Sequence, residues 1–485
     1  MISGRQETLK KLTESPLDVL VIGGGIVGSG VARDAAMRGL KTGLVERADF
    51  ASGTSSRSSR LLHGGLRYLA QGRVGLVHEA SVEKKVIHHI APHLADPLPF
   101  LFPTYRTNKN WRLWQLRIGV KIYDLLCGGR NLGQSAWLKT TAVQERLPEL
   151  KADGLTGAVR YFDGLTNDAR LVLDTLRSAA KAGAPVLNYA TFRNARRDSL
   201  WDCEIEDGVT GSIHKIQTRA VVNATGPWAD GLPHSAVKLR LTKGIHLVVD
   251  RRRVPVPDSV VMTEGKRILF AIPWGERTVL GTTDTDYRGS LDDIRADAGD
   301  ISYVLRIANE FFPGSKLRDS DVISTWAGVR PLLASASGKP SDISRSHKIS
   351  SPEPDWWDVA GGKLTTYRLM AEQTVDRLAK ALHLPAVPCR TASEPLLTTE
   401  ETEGLSGILP PPFDRRTVEH ACTAEWALHL DDLMLRRTSW HYYHHAGERL
   451  AETAAGWMAE ILGWSPETRA AELRRYQNLT AKAQS

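Results

Sequence analysis

Four cysteines are all that this chain of 485 residues carries, Cys127, Cys203, Cys389 and Cys422, and no two of them stand at CxxC spacing. A disulfide scaffold and a cysteine-bound zinc site are thereby excluded as organising features, no metal is expected, and reduced thiols in a cytoplasmic protein are the expectation. Long apolar runs are missing too. Nothing approaches the roughly 18 apolar residues of a membrane-spanning helix, and the opening MISGRQETLKKLTESPLD stays polar until Leu17, without the apolar stretch of a signal peptide. Any membrane contact is expected to be peripheral. Internal repeats and long low-complexity tracts are also absent.

Acidic excess is lacking as well: 63 Lys and Arg against 55 Asp and Glu leave a net charge of +8. That balance suits an anionic partner such as a phosphorylated substrate, a lipid surface or nucleic acid. The basic residues are scattered and not clustered with aromatics, which speaks against nucleic acid.

What is present is an ordinary globular composition, 42% hydrophobic and 24% charged, long enough for two or three domains. Its densest local signal is VIGGGIVGSGVARDAAMRGL, from Val21 to Leu40. The apolar run Leu17 to Ile22 predicts a buried strand, Val27 to Arg38 a helix closed by Gly39, and KTGLVE the next parallel strand. In that βαβ setting Gly23, Gly25 and Gly28 form a GxGxxG dinucleotide fingerprint. The first glycine makes the turn, the second admits the pyrophosphate, and the third lets helix approach strand. Glu46, closing the second strand, stands where a carboxylate bonds ribose hydroxyls and favours an unphosphorylated ribose, as in FAD or NAD.

The segment ASGTSSRSSRLLHGGLRYL, Ala51 to Leu69, is too polar for core, and its interleaved leucines and glycines predict an ordered turn beside a planar ring. Together with GGKLTTYRLMA, Gly361 to Ala371, it makes the similarity specific. These motifs, with VNATGPWAD, LTKGIHLVV, IPWGERTVLGTTDTDY, AGVRPL and AEWALHLDDLMLRRT in the same order, resemble the FAD-dependent, respiratory-type glycerol-3-phosphate dehydrogenase family over nearly the whole chain.

The resemblance implies an α/β fold. It comprises a Rossmann-like FAD-binding domain of the glutathione-reductase or D-amino-acid-oxidase type, an antiparallel β cap and a C-terminal helical domain. The expected division is residues 1–95, 163–230 and 326–385 for the discontinuous FAD domain, 96–162 and 231–325 for the cap, and 386–485 for the helices. NDARLVLDTLRSAAKAGA predicts a helix, and alternating runs such as GIHLVVD, RILFAIP and TVLGTTD predict antiparallel strands. SGKPSDISRSHKISSPEPD, 337–355, reads as exposed connection.

The implied reaction is oxidation of sn-glycerol 3-phosphate at C2 to dihydroxyacetone phosphate, with hydride passing to FAD and electrons on to a quinone. A related FAD-dependent oxidase acting on amino acids and a basic RNA-associated flavoprotein are the alternatives, and the GGKLTTYR signature favours the phosphate-using family. For FAD the resemblance implies Gly23, Gly25, Gly28, Glu46, Thr54, Ser55, Ser56, His63, Gly65, Leu66, Thr225, Gly226, Gly362, Leu364 and Thr365. For the substrate phosphate, Arg330, Lys363 and Thr365 are the candidates, because guanidinium binds phosphate bidentately and Lys adds a compact charge. Pro331 after Arg330 is expected to set a loop exit. A plain ion pair is the competing role for Arg330, and a solvated residue at a Thr-capped helix the competing role for Lys363.

Histidine titrates nearest neutral pH, and among 15 of them His63 and His246 are the candidate bases, with no choice between them. Arg60 stands where relatives commonly carry lysine. In WRLWQLRIGVKIYDLL, residues Trp111, Trp114, Ile118, Ile122 and Leu125 share one helical face flanked by Arg112, Arg117 and Lys121. General precedent assigns such a stripe to core, while the basic charge and the family's respiratory role favour the inner face of the cytoplasmic membrane. A homodimer is also carried as an expectation.

Overall fold

A computed structural model describes residues 2–108, 110–128, 131–334, 347–445 and 447–481. The β-branched run Leu17–Ile22 forms a strand buried almost throughout, and the helix Ile26–Met37 follows it. This strand lies at the centre of a sheet whose order is His347–Glu353, Trp356–Gly361, Ile213–Asn223, Leu17–Ile22, Thr42–Val45, Val186–Leu187. Its neighbours pair in parallel from Trp356–Gly361 through to Val186–Leu187. Parallel strands are buried on both faces, which explains their unbroken apolar character.

The expected helix from NDARLVLDTL runs Asp168–Lys181, and the Asn167 side chain caps it by accepting the Arg170 N–H. The Ile26–Met37, Asp168–Lys181 and Tyr367–Ala381 helices share one apolar core with this sheet.

A second sheet of ten strands carries the runs 239–250, 267–274 and 277–281, all antiparallel. Two strands extend further than the sequence patterns suggest. Leu155–Leu165 pairs with Asp96–Tyr105, and Val322–Leu333 pairs along its length with Leu239–Asp250. Arg330 and Pro331 therefore stand inside a strand and not at a loop exit. Among the described residues Val322–Leu333 pairs only with Leu239–Asp250, so Pro331 lies in an edge strand, where a missing N–H is tolerated.

Of the stretch expected as connection, residues 337–346 lie outside the described residues, and His347–Glu353 forms a strand antiparallel to Trp356–Gly361. The C-terminal part is helical, with Arg415–Ala424, Gly447–Leu462 and Pro466–Thr480 around their own core. Arg436 and Arg437 fasten it to buried Asp49 behind the flavin fingerprint.

All four cysteines are free thiols. Among the described residues no helix is long and apolar enough to cross a membrane, and no His, Cys, Asp and Glu group is arranged to hold a metal.

Candidate active site

The glycine turn is built so that side chains cannot enter it. Gly23 has φ +111°, and a Cβ there would stand 2.6 Å from the Ala224 carbonyl oxygen. A Cβ on Gly28 would run into the carbonyl oxygen of Gly23, which explains the third glycine as a helix-to-strand contact. Gly25 caps the helix Ile26–Met37 with no side-chain bond, leaving the positive helix end facing outward. Glu46 accepts the Gly24 N–H at 2.7 Å and the Ala48 N–H at 2.9 Å. Burial pushes its carboxyl pKa upward against those two bonds.

From this turn a cavity of about 1070 Å³ opens between the two sheets. That is the upper end of ligand-pocket sizes, with room for a ring system and a small substrate. One wall is the short turn Thr54–Ser56 and the residues after it. Ser55 Oγ accepts the Ile26 N–H at 3.0 Å, and Thr54 Oγ1 donates to the Val329 carbonyl at 2.6 Å. Of the residues expected to hold FAD, Thr54, Ser55, His63, Gly65, Leu66, Gly362 and Leu364 line the cavity, and Ser56 is buried.

Thr365 is buried too, and its hydroxyl takes the His63 N–H at 3.1 Å and meets the His63 carbonyl at 3.3 Å. Thr225 and Gly226 do not belong to the lining of this cavity. They lie behind the glycine turn, Thr225 Cα 3.1 Å from where a Gly23 Cβ would be, with the Thr225 hydroxyl on Asn223.

The same cavity is lined by cations. Arg330 Nη1 donates to the Thr283 carbonyl and to Asp284, both at 3.2 Å, and Nη2 to Thr282 Oγ1 at 3.0 Å. Arg330 thus makes an ion pair with Asp284 and also lines the cavity. Lys363 lines the cavity with its ammonium 4.4 Å from the centre of the Tyr68 ring. Arg57, which sequence reasoning passed over, also lines the cavity directly after the Thr54–Ser56 turn, and burial lowers its pKa.

Arg60, the residue singled out as a lysine replacement, faces away instead. It is 3% exposed, its guanidinium 4.4 Å from the Trp274 ring centre and 5.0 Å from that of Trp326. Arg57 and Arg60 are three apart in one polar segment, and of the two only Arg57 lines the cavity.

His246, on the strand Leu239–Asp250, is buried and stacks on Trp326 with 5.2 Å between ring centres. Its Nε2 shares a 2.8 Å hydrogen bond with Ser59 Oγ, while buried Nδ1 has no hydrogen-bond partner. Burial first, then Arg330 and Arg60, push its pKa down to about 3, so the ring is neutral near pH 7. His63 also lines the cavity, held through its backbone by Thr365.

A glycine-walled dinucleotide turn, a cavity between a parallel and an antiparallel sheet, and cations lining that cavity define a flavin-dependent oxidoreductase of the two-sheet kind. Residues 18–377 match the family model for FAD-dependent oxidoreductases, and 397–469 match that for the C-terminal domain of alpha-glycerophosphate oxidase. The chain is 35% identical to a glycerol-3-phosphate dehydrogenase of Mycobacterium leprae, over 95% of this chain and 87% of that one. It is 38% identical to the aerobic glycerol-3-phosphate dehydrogenase of Bacillus subtilis, over 81% and 73%.

Among solved structures, the glycerol-3-phosphate dehydrogenase of Bacillus halodurans complexed with FAD superposes with a TM-score of 0.79 at 29% identity, covering 98% of this chain and 97% of that one. A glycine oxidase of Geobacillus kaustophilus, at 20% identity and a TM-score of 0.59 over 79% and 98%, shares the fold. The chain belongs to the FAD-dependent glycerol-3-phosphate dehydrogenase family and is a flavoenzyme that uses FAD.

Proposed function

We propose that this enzyme oxidises sn-glycerol 3-phosphate to dihydroxyacetone phosphate and passes the electrons to a quinone at a membrane surface. The observation that carries the substrate is the gathering of Arg57, Arg330 and Lys363 on one cavity that also holds a neutral, buried histidine. Three cations in a cavity of this size match a phosphate dianion on a small molecule. The names of the similar proteins agree with that reading.

FAD, held by the glycine turn, Glu46 and the Thr54–Ser55 turn, supplies the acceptor for an electron pair. The remaining work falls to the chain. Arg330 and Lys363 hold the phosphate and so fix where C2 lies in the cavity. The C2–H bond breaks with its electron pair, the C2–O bond becomes a carbonyl, and the hydroxyl proton moves toward Nε2 of His246 by way of the Ser59 hydroxyl. His63 stays on the opposite side of the substrate as a positioning group. Phosphate bound to Arg330 offsets part of the positive field that keeps His246 unprotonated, so substrate binding improves the base.

The acceptor side rests on the helix Leu113–Leu126. Leu116, Val120 and Tyr123 face inward, while Trp114, Ile118, Ile122 and Leu125 are 42–72% exposed. The stripe is therefore not core; of the expected face, Trp111 alone packs against it. Exposed Trp137 joins the patch, Arg117 sits 4.5 Å from its ring centre, and Arg112 and Lys121 add positive charge. An apolar stripe edged by basic residues is complementary to an anionic bilayer, where quinones reside. This supports peripheral attachment to the inner face of the cytoplasmic membrane.

Anaerobic mixing with sn-glycerol 3-phosphate tests the substrate: the oxidised-flavin absorbance band should bleach with this compound and not with glycerol or an amino acid. Reoxidation by a short-chain quinone then tests the acceptor. A band unmoved by glycerol 3-phosphate would overturn the substrate assignment.

A further inference from the structure

The helix with the exposed outer face also reaches the active site from its inner face. Tyr123 is fully buried, and its hydroxyl donates to Asp163 Oδ1 at 2.5 Å while accepting the Gly64 N–H at 2.9 Å. The same carboxyl oxygen takes Lys84 Nζ at 2.8 Å. Lys84 is itself fully buried, bonds the Phe162 carbonyl at 3.0 Å, and stands 5.0 Å from the centre of the Tyr123 ring.

The direction of this chain is set by chemistry. Paired with a buried ammonium, Asp163 is an acceptor only, so the single phenolic proton must go to it. The phenol oxygen then has only lone pairs to offer Gly64. On the other flank, Thr365 bonds both backbone groups of His63. The loop His63–Gly65 is thus clamped between two hydroxyls, one from the helix Leu113–Leu126 and one from the turn after Gly361 and Gly362. Gly64 has no room for a side chain, since a Cβ would come within 2.6 Å of Ser81 Oγ as well as against the Tyr123 hydroxyl. Gly65 has φ +82°, and its Cβ would enter the Tyr68 ring. His63, Gly65, Leu66 and Asp163 are all on the cavity wall.

We propose that Tyr123, oriented by the Asp163–Lys84 pair, is a positioning residue that sets the His63–Gly65 loop against the bound flavin. Through it, the helix bearing the apolar patch determines the surroundings of the redox centre. The inference rests only on FAD occupying the cavity, not on the substrate or the electron acceptor.

The test uses purified holoenzyme with Tyr123→Phe, which keeps the ring and removes the bridging oxygen. Gly64 then loses its 2.9 Å acceptor and keeps only a long 3.5 Å approach to Asp163 Oδ1, and such losses amount to roughly a tenfold effect. The expected result is a displaced visible spectrum and midpoint potential of the bound flavin, with turnover reduced about tenfold and KM changed less than about twofold.

Asp163→Asn keeps the shape but removes the acceptor charge, so it should move spectrum and potential as well, and it stands in if the phenylalanine variant does not fold. Val120→Ala, on the same inner helix face, loosens packing alone and should lower Tm without touching either flavin property. Wild-type spectrum and potential in both polar variants, or the same displacement in Val120→Ala, would overturn the proposal. The flavin readouts need no substrate, so they stand even if the substrate assignment fails.

Discussion

The guanidinium of Arg330 rests over Gly244 on the neighbouring strand, so close that a Cβ on Gly244 would meet Nη2 and come within 2.5 Å of Thr282 Oγ1. Both obstacles are ends of flexible side chains, so the strand can tolerate alanine while the guanidinium must move. Gly244→Ala should therefore raise KM for glycerol 3-phosphate by about tenfold, with FAD retained. Arg330→Ala, which removes a charged donor pair outright, should raise it roughly 10- to 100-fold. Steady-state kinetics beside the flavin absorbance of each variant check this; unchanged KM in both variants would remove Arg330 from the phosphate site.

Gly28→Ala places a methyl group against the Gly23 carbonyl oxygen, a backbone atom that cannot swing away. The turn must open and the cradle is lost with it. Purified Gly28→Ala should carry less than about a tenth of the wild-type FAD per chain, since even 1.4 kcal/mol lost at the cofactor is tenfold in affinity. The ratio of flavin to protein absorbance decides it.

His246 makes stability fall on acidification. Its folded pKa, about 3, lies below the ordinary value near 6.5. Between those values the unfolded chain binds a proton that the native state refuses, so stability decreases as pH falls from about 6.5 toward 3 and is unaffected by this group above 6.5. Urea melts of wild type and His246→Gln at pH 7.5 and pH 5 should differ, the variant losing less stability across that interval. Equal losses would show that His246 is not held neutral by its surroundings.

Asp49 is buried under Arg436 and Arg437, the latter donating from Nη2 at 2.8 Å, and the two guanidinium groups hold its carboxyl down to about 2. Removing one partner leaves buried charge uncompensated, at a cost of about 3–5 kcal/mol. Asp49→Asn should lower the denaturant midpoint sharply and release the C-terminal helices early to proteolysis. A midpoint within experimental scatter of wild type would contradict the role given to this junction.

Ile118→Glu and Leu125→Glu put charge on the outer face of the helix Leu113–Leu126 without entering the core. Sedimentation with vesicles containing anionic lipid should fall at least tenfold, while turnover with a water-soluble dye acceptor stays within about twofold of wild type. Undiminished sedimentation would remove this face from membrane docking.

Local order along the chain was readable from composition. The glycine fingerprint, the helix after Asn167 and the antiparallel runs of the second sheet each depend on residues within one or two turns, and each stands where its pattern predicts. Where the reading stopped, the missing quantity was a direction in space. Arg57 and Arg60 are equivalent in sequence, yet one lines the cavity and the other stacks on tryptophans. The amphipathic stripe from Trp114 to Leu125 is equally compatible with core or surface, because periodicity states that a helix has an apolar face and not what covers it.

By itself, then, the sequence determined the dinucleotide turn, the strand and helix types and the family, since these follow from glycine sterics, side-chain period and ordered motifs. Tertiary structure decided which of the candidate side chains share one cavity and added Arg57 to them. Arg330, Lys363, His246 and Arg57 are up to 306 residues apart in the chain and meet only because two sheets face each other across one cavity. The depressed pKa of His246 and the Tyr123–Asp163–Lys84 clamp arise from that meeting, because burial and charge proximity are properties of packing and not of any single segment.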